Sequence, residues 1–327
     1  VMDSHINAIT QGSPQPFTVS IGRYLITDKT LAVSAMYDRA VIARKTVKGR
    51  SDVHIALYDE AMRSRIIREQ EIISEMRIAL EAHQFEVWFQ PQYNRATDAM
   101  IGSEALVRWR HPQKGLIPPN DFIPLFEQNG FIYDMDKYVW EEVCSFLRKW
   151  LDEGRSPLPV SVNISRYDIL RTDLIDTITA LVEKYALPRE LLRLEITESA
   201  FTNSANLIVK VVKELIGLGF TVEIDDFGSG YSSLNTLKDV PAQIIKLDMK
   251  FLESSEDSER GGSIVESVVR MAKWLGMSVI AEGVETVAQA DYLRSIGCYY
   301  MQGYLFARPM PEADYQEHCS DSRKEEH

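Results

Sequence analysis

Four apolar, β-branched runs in this chain end in acidic residues, and a helix-like segment follows each run. The runs are Leu192–Glu198, Thr221–Asp226, Ile244–Asp248 and Ser278–Glu285. A (β/α)8 barrel brings the carboxyl ends of its strands to one mouth, where carboxylates can converge on divalent cations. One such run is a weak signal, but four in order, separated by helical patterns, predict a metal-binding mouth.

Four side chains on neighbouring predicted strands have the types that a hard cation prefers. Glu104 lies on the second strand, Asn163 on the third, Glu195 on the fourth and Asp225 on the fifth. Oxygen ligands of this kind suit Mg²⁺ or Mn²⁺ rather than zinc. Buried carboxylates repel one another unless a cation is present. For any single acid, the alternative is a helix cap or a solvated side chain.

The adjacent pair Asp225-Asp226 is the sharpest of these signals. Neighbouring residues normally face opposite sides of a strand, but at a strand end both can turn towards one site. A shared Asp could then bridge two cations, as two-metal phosphodiester cleavage requires. The alternative is an acidic turn before Gly228. The Asp-Phe-Gly string lacks the other protein kinase motifs, so a kinase is excluded.

Two further features accompany the pair. The loop Phe227–Leu234 is rich in glycine and hydroxyl groups and could contact substrate, or it could simply cap the next helix. Lys246 stands two residues before Asp248 on the same strand face. Among carboxylates it could stabilise a phosphate or orient a hydroxide, and a structural ion pair is the alternative.

The elements that must position these residues alternate between strand and helix patterns from about residue 86 onward. Eight strands over roughly 235 residues fit a closed α/β barrel of the (β/α)8 TIM type, with a mainly parallel sheet, better than an open doubly wound sheet. The strands are predicted at Val87–Gln92, Gly102–Trp109, Val160–Ile164, Leu192–Thr197, Phe220–Asp225, Ile244–Leu247, Ser278–Ala281 and Tyr299–Leu305. The helices are predicted at Tyr138–Glu153, Leu174–Tyr185, Leu207–Leu218, Ser263–Leu275 and Val287–Ile296.

The front of the chain has a different pattern. Phe17–Gly22 and Val53–Tyr58 are strand candidates on either side of a predicted helix, Leu31–Val47. About 60 residues of this kind form a marginal core alone, so we interpret them as an α+β fragment of a truncated domain. The charged segment 61–83 that follows is expected to be a helix, which either lies on the barrel or forms a coiled-coil-like dimer.

Composition limits the classes of partner and location. The net charge of −12 and the pI of about 5.1 argue against binding to long nucleic acid. Three widely spaced cysteines fit neither a disulfide framework nor a zinc site, which favours a reduced, cytoplasmic setting. No apolar run suggests membrane contact by this fragment. The start at Val1 resembles an internal cut, so a parent protein could carry an upstream sensor or membrane anchor.

With these residues in place, the barrel resembles the EAL family of cyclic di-GMP phosphodiesterases. The name motif stands as Glu104-Ala105-Leu106, and matching stretches follow in the family's order from about residue 80 to 315. The other stretches are Val162–Ser165, Leu194–Ser199, Asp225–Leu234, Ile245–Asp248, Ala281–Thr286 and Gln302–Phe306.

The resemblance implies hydrolysis of cyclic di-GMP to linear 5'-pGpG with two Mg²⁺ or Mn²⁺ ions per site. It implies Glu104, Asn163, Glu195 and Asp225 as ligands of the first metal and Asp225, Asp226 and Glu282 as ligands of the second. Lys246 would help to hold the attacking water, with Glu282 as a possible base, while Glu198 would hold the glycine-containing loop and Glu285 would support the site. The implied substrate contacts are Gln90, Leu106, Arg108, Asp226, Asp248 and Gln302.

The front fragment resembles the end of a GGDEF, or diguanylate cyclase, domain without its signature motif. We therefore expect four segments: a GGDEF-like fragment at 1–60, a connecting helix at 61–83, the EAL barrel at 84–318 and a charged tail at 319–327. The family resemblance also implies a homodimer through the barrel. Two alternatives to phosphodiesterase activity are a catalytically silent cyclic di-GMP receptor and an enzyme acting on another phosphodiester.

Overall fold

The computed structural model describes residues 19–49, 53–228, 240–249 and 258–322. The chain divides into two compact units, Val1–Ile78 and Ala79–His327. Every predicted site residue belongs to the second unit. Within the described ranges, no helix combines the length and the apolarity needed to cross a bilayer.

A parallel pair of short strands and one helix form the described part of the first unit. Strand β1 (Ile21–Arg23) pairs with β2 (Ile55–Leu57), and helix α1 (Val33–Val47) connects them. Gly22 lets this helix approach the strand, because a Cβ there would lie 1.8 Å from the Ala40 carbonyl oxygen. The predicted strand–helix–strand order is confirmed with shorter bounds, and residues 17 and 18 lie outside the described ranges.

Helix α2 (Glu60–Glu81) occupies most of the segment predicted as a connecting helix. Its apolar side chains are unevenly covered, since Ile72 is 2% exposed whereas Ile67 is 45% exposed. The helix therefore forms as predicted, but its apolar residues do not make one continuous buried stripe.

Eight strands of the described second unit close into a barrel, and two short strands extend it. The strands are β3 (Phe85–Asn94), β4 (Ala99–His111), β5 (Gly115–Ile117), β6 (Val160–Ile164), β7 (Leu192–Thr197), β8 (Thr221–Phe227), β9 (Ile244–Asp248), β10 (Ser278–Glu282), β11 (Tyr300–Met301) and β12 (Met310–Pro311). Around the ring the order is β3-β4-β6-β7-β8-β9-β10-β11, with β3 also pairing with β11. The predicted closed barrel is confirmed.

Strand β3 departs from an ideal (β/α)8 arrangement. It runs antiparallel to both of its barrel neighbours, whereas the pairings from β4 round to β11 are parallel. A turn at residues 95–98 joins it to β4, in place of the helix that follows the first strand of an ideal barrel. In this hairpin Gln90 is paired with Glu104 and Gln92 with Gly102.

Helices surround the barrel, and the five predicted ones are confirmed with shifted bounds. Helix α3 (Pro119–Asn129) was not predicted, because the prolines at 118, 119 and 124 are typical of a loop. The last helix continues to Ser322, with Cys319 buried, so it passes the predicted start of the tail at 319. The helices are α3 (Pro119–Asn129), α4 (Ile132–Asp152), α5 (Arg166–Ile169), α6 (Leu174–Lys184), α7 (Phe201–Gly217), α8 (Ser258–Trp274), α9 (Val287–Ser295) and α10 (Glu312–Ser322).

Two buried carboxyl groups join α4 to the segment after β6. Asp136 is 6% exposed and Asp168 is 0% exposed, and their carboxyl groups lie close enough to interact electrostatically. Asp168 also accepts from the Ser165 backbone nitrogen at 2.7 Å in a capping box. Two buried carboxylates repel each other, which favours a proton on one of them. Burial and then the charge of Asp168 raise the pKa of Asp136 well above its usual value.

We expect Asp136→Asn to increase the free energy of unfolding at pH 7. An acid whose pKa rises on folding loses stability as the pH rises from its unfolded pKa, about 3.9, through its folded pKa. The amide instead donates to Asp168 at every pH, so its advantage should shrink towards pH 4. Urea unfolding across this pH range measures the difference. Asp176→Asn, at an exposed position of α6, is the control, and a gain independent of pH would contradict the prediction.

Candidate active site

Lys246, which is completely buried, lies among carboxylates at the mouth of the barrel. Its Nζ atom is 2.6 Å from Glu282 Oε1 and 3.0 Å from Glu104 Oε2. The same atom is 3.0 Å from Glu195 Oε1 and 3.3 Å from Asp225 Oδ1. These side chains come from β9, β10, β4, β7 and β8, so five strands contribute to one cluster.

The charges in this cluster strongly influence one another. Burial by itself lowers the pKa of Lys246, but the surrounding carboxylates outweigh it and hold that pKa well above its usual value. Burial and then repulsion from Glu104 raise the pKa of Glu195. Burial is also the main cause of a raised pKa at Glu282. One lysine therefore does not neutralise the acids that surround it.

A bulge in β8 brings Asp225 and Asp226 to the same site. The β8–β9 register shifts between Ile224 and Phe227, and Asp226 has a left-handed backbone with φ 55°. As a result, carboxylate oxygens of Asp225, Asp226 and Glu282 lie within 4.8 Å of one another. Loss of solvation on the protein-facing side of Asp226, followed by repulsion from Asp225, raises the pKa of Asp226 to about 6.

Gln302 joins this cluster through Glu104. Its Nε2 atom donates to Glu104 Oε2 at 2.6 Å and to Gln90 Oε1 at 3.1 Å. The Gln90 amide donates in turn to the Ala307 carbonyl at 3.2 Å. Both glutamines are buried, and the bond from Gln302 holds Glu104 in place. In this structure they contact protein groups and also line a cavity beside the site, and their contact with substrate stays a prediction.

Glu198 contacts the start of the loop that follows Asp226. Its Oε2 atom accepts a 2.7 Å hydrogen bond from the Gly228 backbone nitrogen, and its side chain is buried. This contact has the form expected of a loop anchor. Residues 229–234 of the predicted loop lie outside the described ranges.

Two cavities adjoin Glu104, and the remaining predicted residues line them. The smaller, of about 310 Å³, is lined by Asp226, Asp248 and Glu285 among others. The larger, of about 430 Å³, is lined by Arg108 and Asn163. Leu106 lines both cavities. The predicted residues thus divide between the buried cluster and its rim.

Arg108 is held at this rim by the β3–β4 hairpin. Its guanidinium lies 5.7 Å from the centre of the Trp88 ring, and Nη1 donates to the Val107 carbonyl at 2.8 Å. Burial lowers the pKa of Arg108, which nevertheless stays positively charged near neutral pH. It is therefore a cation placed beside the acidic cluster.

Two residues near the site were not predicted. Tyr304 is 50% exposed at the smaller cavity, with the Arg308 guanidinium 4.2 Å from its ring centre. Gln92 is 0% exposed and donates to Gln302 Oε1 at 3.0 Å. The spacing from Gln90 to Gln92 was an available signal, because residues two apart share a strand face.

The donor set fits divalent cations. Within the described ranges, no donor hydrogen-bonds with good geometry to either oxygen of Glu195 or to Asp225 Oδ1. Glu195 is 0% exposed, so its carboxylate is removed from water as well. Buried, crowded oxygens of this kind are the ligands that Mg²⁺ and Mn²⁺ prefer.

Two bacterial proteins are similar to this sequence over most of its length. The chain is 36% identical over 254 residues to the bifunctional diguanylate cyclase/cyclic di-GMP phosphodiesterase MucR of Pseudomonas aeruginosa, covering 78% of this chain and 37% of MucR. It is 34% identical over 300 residues to the cyclic di-GMP phosphodiesterase NbdA of the same organism, covering 92% and 38%. The chain thus spans little more than a third of the length of either relative.

Solved structures match most of the chain. One described as the MucR phosphodiesterase in complex with c-di-GMP superposes with a TM-score of 0.71 at 37% identity, covering 75% of this chain and 99% of that one. The EAL enzyme Bd1971 in its cAMP- and cyclic-di-GMP-bound form gives a TM-score of 0.73 at 26% identity, covering 89% and 77%.

The profile of the EAL domain matches residues 73–309, which include the barrel and every residue of the acidic cluster. The fold, the cluster and this match agree, and the chain belongs to the EAL domain family.

Proposed function

We propose that this chain hydrolyses cyclic di-GMP to linear 5'-pGpG. The observation that carries the proposal is the cluster of four carboxylates around Lys246, in which no donor among the described residues makes a hydrogen bond of good geometry to either oxygen of Glu195. The names of MucR and NbdA, and the c-di-GMP complex of a related chain, support this substrate.

We propose two Mg²⁺ or Mn²⁺ ions as the cofactor. Glu104, Asn163, Glu195 and Asp225 would hold the first ion, and Asp225, Asp226 and Glu282 would hold the second. The chemistry that divalent cations supply in such sites is polarisation of phosphoryl oxygens and activation of water. The bulge at Asp226 supports this division, because it lets Asp225 take part in both ligand sets.

In the reaction, a water oxygen bonds to phosphorus and the bond from phosphorus to a ribose 3' oxygen breaks. The hydroxyl stays on the new 5' phosphate, and the remaining proton reaches the 3' oxygen. Lys246 Nζ donates towards the attacking oxygen, and Glu282, 2.6 Å from Nζ, is the proposed proton acceptor. Glu198 keeps Asp226 in place through Gly228, and Glu285 supports the rim.

Substrate would be bound by groups around the two cavities. Arg108 supplies positive charge near the phosphates, while Leu106 supplies an apolar surface to a base. Asp226 and Asp248 line the smaller cavity, where they can accept hydrogen bonds. Gln90 and Gln302 already make hydrogen bonds to protein groups. They would contact substrate only through the amide donor and acceptor positions that these bonds do not use.

A catalytically silent cyclic di-GMP receptor is the second candidate. A receptor needs the rim residues but not Lys246 or a complete acidic cluster. Five charged side chains converge in the barrel at high electrostatic cost, which favours a catalytic use. An enzyme for a different phosphodiester would keep the cluster and differ at the rim, and product identification separates it from our proposal.

We also propose the domain organisation expected from the sequence. Residues 1–60 would be the end of a GGDEF-like domain, 61–83 a connecting helix and the residues from 84 the phosphodiesterase barrel, with the charged tail starting after α10 ends at Ser322 and not at 319. The parallel β1–β2 pair with its helix supports the first assignment. A homodimer formed through the barrel and a cytoplasmic location complete the proposal, and light scattering of the purified chain tests the dimer.

The test of the proposed function is turnover with defined metals. Chelator should abolish conversion of cyclic di-GMP to 5'-pGpG, because the acids cannot polarise a phosphodiester without a cation. Mg²⁺ or Mn²⁺ should restore it, whereas Ca²⁺ should bind but support little turnover. Chromatography of the products measures the reaction. Full activity in excess chelator would contradict the two-metal proposal, and metal-dependent substrate binding without turnover would favour the receptor.

Glu104→Ala and Asp225→Ala should each lower turnover by about 10²-fold or more, because each removes a proposed metal ligand. Three carboxylates would still surround Lys246, and repulsion would decrease. The melting temperature without metal should therefore hold or rise, while the increase on adding Mn²⁺ should shrink. Thermal melts with and without Mn²⁺ measure both effects. Asp176→Ala is the exposed control, and near-normal turnover in either site variant would remove that residue from the ligand set.

Glu198→Ala should lower turnover by roughly 10²-fold, because the Gly228 nitrogen loses its acceptor and Asp226 is displaced. Binding of the first metal should be largely retained, since Glu198 is not one of its ligands. Glu198→Gln keeps an acceptor oxygen and should retain more activity. The measurements are a Mn²⁺ titration and a rate for each variant. Normal kinetics for Glu198→Ala would show that Gly228 needs no anchor.

A further inference from the structure

Next to the acidic cluster around Lys246, the barrel interior contains a row of polar side chains that the proposed reaction does not use. Gln92, Glu223 and Ser161 are each 0% exposed, and the Arg193 side chain is 15% exposed. The Gln92 Nε2 atom donates to Gln302 Oε1 at 3.0 Å, and Gln302 Nε2 donates to Glu104 Oε2 at 2.6 Å. The row therefore ends on a proposed metal ligand.

Both ends of this row have a fixed hydrogen-bonding role. At one end, Arg193 Nη1 is 3.5 Å from Gln92 Oε1, and a guanidinium can only donate. At the other end, Glu104 Oε2 lies 3.0 Å from Lys246 Nζ in an ion pair, and a carboxylate oxygen in such a pair accepts hydrogen bonds. The two amides between them can satisfy both ends in one orientation only, with each oxygen facing Arg193 and each nitrogen facing Glu104.

The backbone leaves space for this row. Gly102 is paired with Gln92 across the hairpin, and a Cβ there would lie 3.2 Å from Gln92 Oε1 and 3.4 Å from Arg193 Nη1. Arg193 is held from its other side by Glu223 Oε1 at 3.4 Å, while Ser161 Oγ donates to Glu223 Oε2 at 3.0 Å. Arg193 is therefore anchored at the point where it meets Gln92.

We propose that Gln92 is a positioning residue, which fixes the Gln302 amide so that its nitrogen holds Glu104 in place for metal binding. Without Gln92, the Gln302 oxygen loses its donor among the described residues, and only the bonds of the amide nitrogen to Glu104 and Gln90 still oppose a half turn of the amide. Its oxygen would then face the Glu104 carboxylate and repel it. This inference rests on the proposed metal site, and it adds a residue that touches neither metal nor substrate.

Two substitutions of Gln92 distinguish its effect on the orientation of the Gln302 amide from its effect on packing. Gln92→Leu removes the donor, whereas Gln92→Glu keeps the shape and places an acceptor against the Gln302 oxygen. Residues behind metal ligands typically change metal affinity by 10–100-fold. We expect Mn²⁺ binding, measured by calorimetry without substrate, to weaken about 10-fold in Gln92→Leu and further in Gln92→Glu. Gln243→Leu is the control: it loses comparable bonds to Val222 and Phe220 and should bind Mn²⁺ normally.

A double-mutant cycle tests whether Gln92 acts through Gln302. In a Gln302→Leu background, adding Gln92→Leu should change Mn²⁺ affinity less than about 2-fold, because residues that act through one contact are not additive. Equal effects of Gln92→Leu in both backgrounds, or normal Mn²⁺ affinity in both Gln92 variants, would overturn the proposal.

A crystal structure of metal-free Gln92→Glu tests the inference independently of the proposed function. The Gln302 amide should turn, and its contact with Glu104 should lengthen beyond hydrogen-bonding distance. An unchanged contact would overturn the inference. If the wild-type chain neither binds Mn²⁺ nor cleaves cyclic di-GMP, the proposed function fails, whereas this structural result still decides the role of Gln92.

Discussion

The arrangement of the barrel mouth depends on one buried cation, Lys246, among carboxylates from four other strands. Burying any one of these charged side chains alone would cost much free energy. Together they can be buried only because the positive charge of Lys246 lies close to the negative charges. The strands must therefore keep the correct register around the ring, since a one-residue slip would turn every acid to the other face. The closed barrel, with each strand paired on both sides, supplies that constraint.

Most of the barrel could be predicted because its strands carry local signals. Apolar runs of five or six residues end in acids, and amphipathic helices lie between them. The direction of β3 could not be predicted, since an alternating strand has the same pattern in either direction. Helix α3 was missed because its prolines lie in the first turn and at an internal position, where buried Phe122 and Phe126 compensate. Tertiary packing therefore outweighed local propensity.

The site was predictable to a similar extent. Acids at strand ends indicated the cluster, and the resemblance to the EAL family supplied roles for Lys246 and Glu198. The sequence did not reveal how Asp225 and Asp226 face one site, because a bulge is set by the neighbouring strand rather than by local residues. For Gln92, the spacing from Gln90 was the available signal, but a neutral amide is common on any strand and its partner Gln302 is 210 positions away, so the sequence did not show the contact between them.

Because strand β3 is reversed, the barrel can close only late in synthesis of the chain. β3 leaves the ribosome before the other strands of the barrel, yet its second edge pairs with β11 and β12 near the end of the chain. Until those residues emerge, only the hairpin partner β4 covers it, and an unpaired apolar edge invites association with other chains. Barrel closure is thus a late event that depends on the full length of the domain, so a ribosome stalled before residue 300 would expose an incomplete ring.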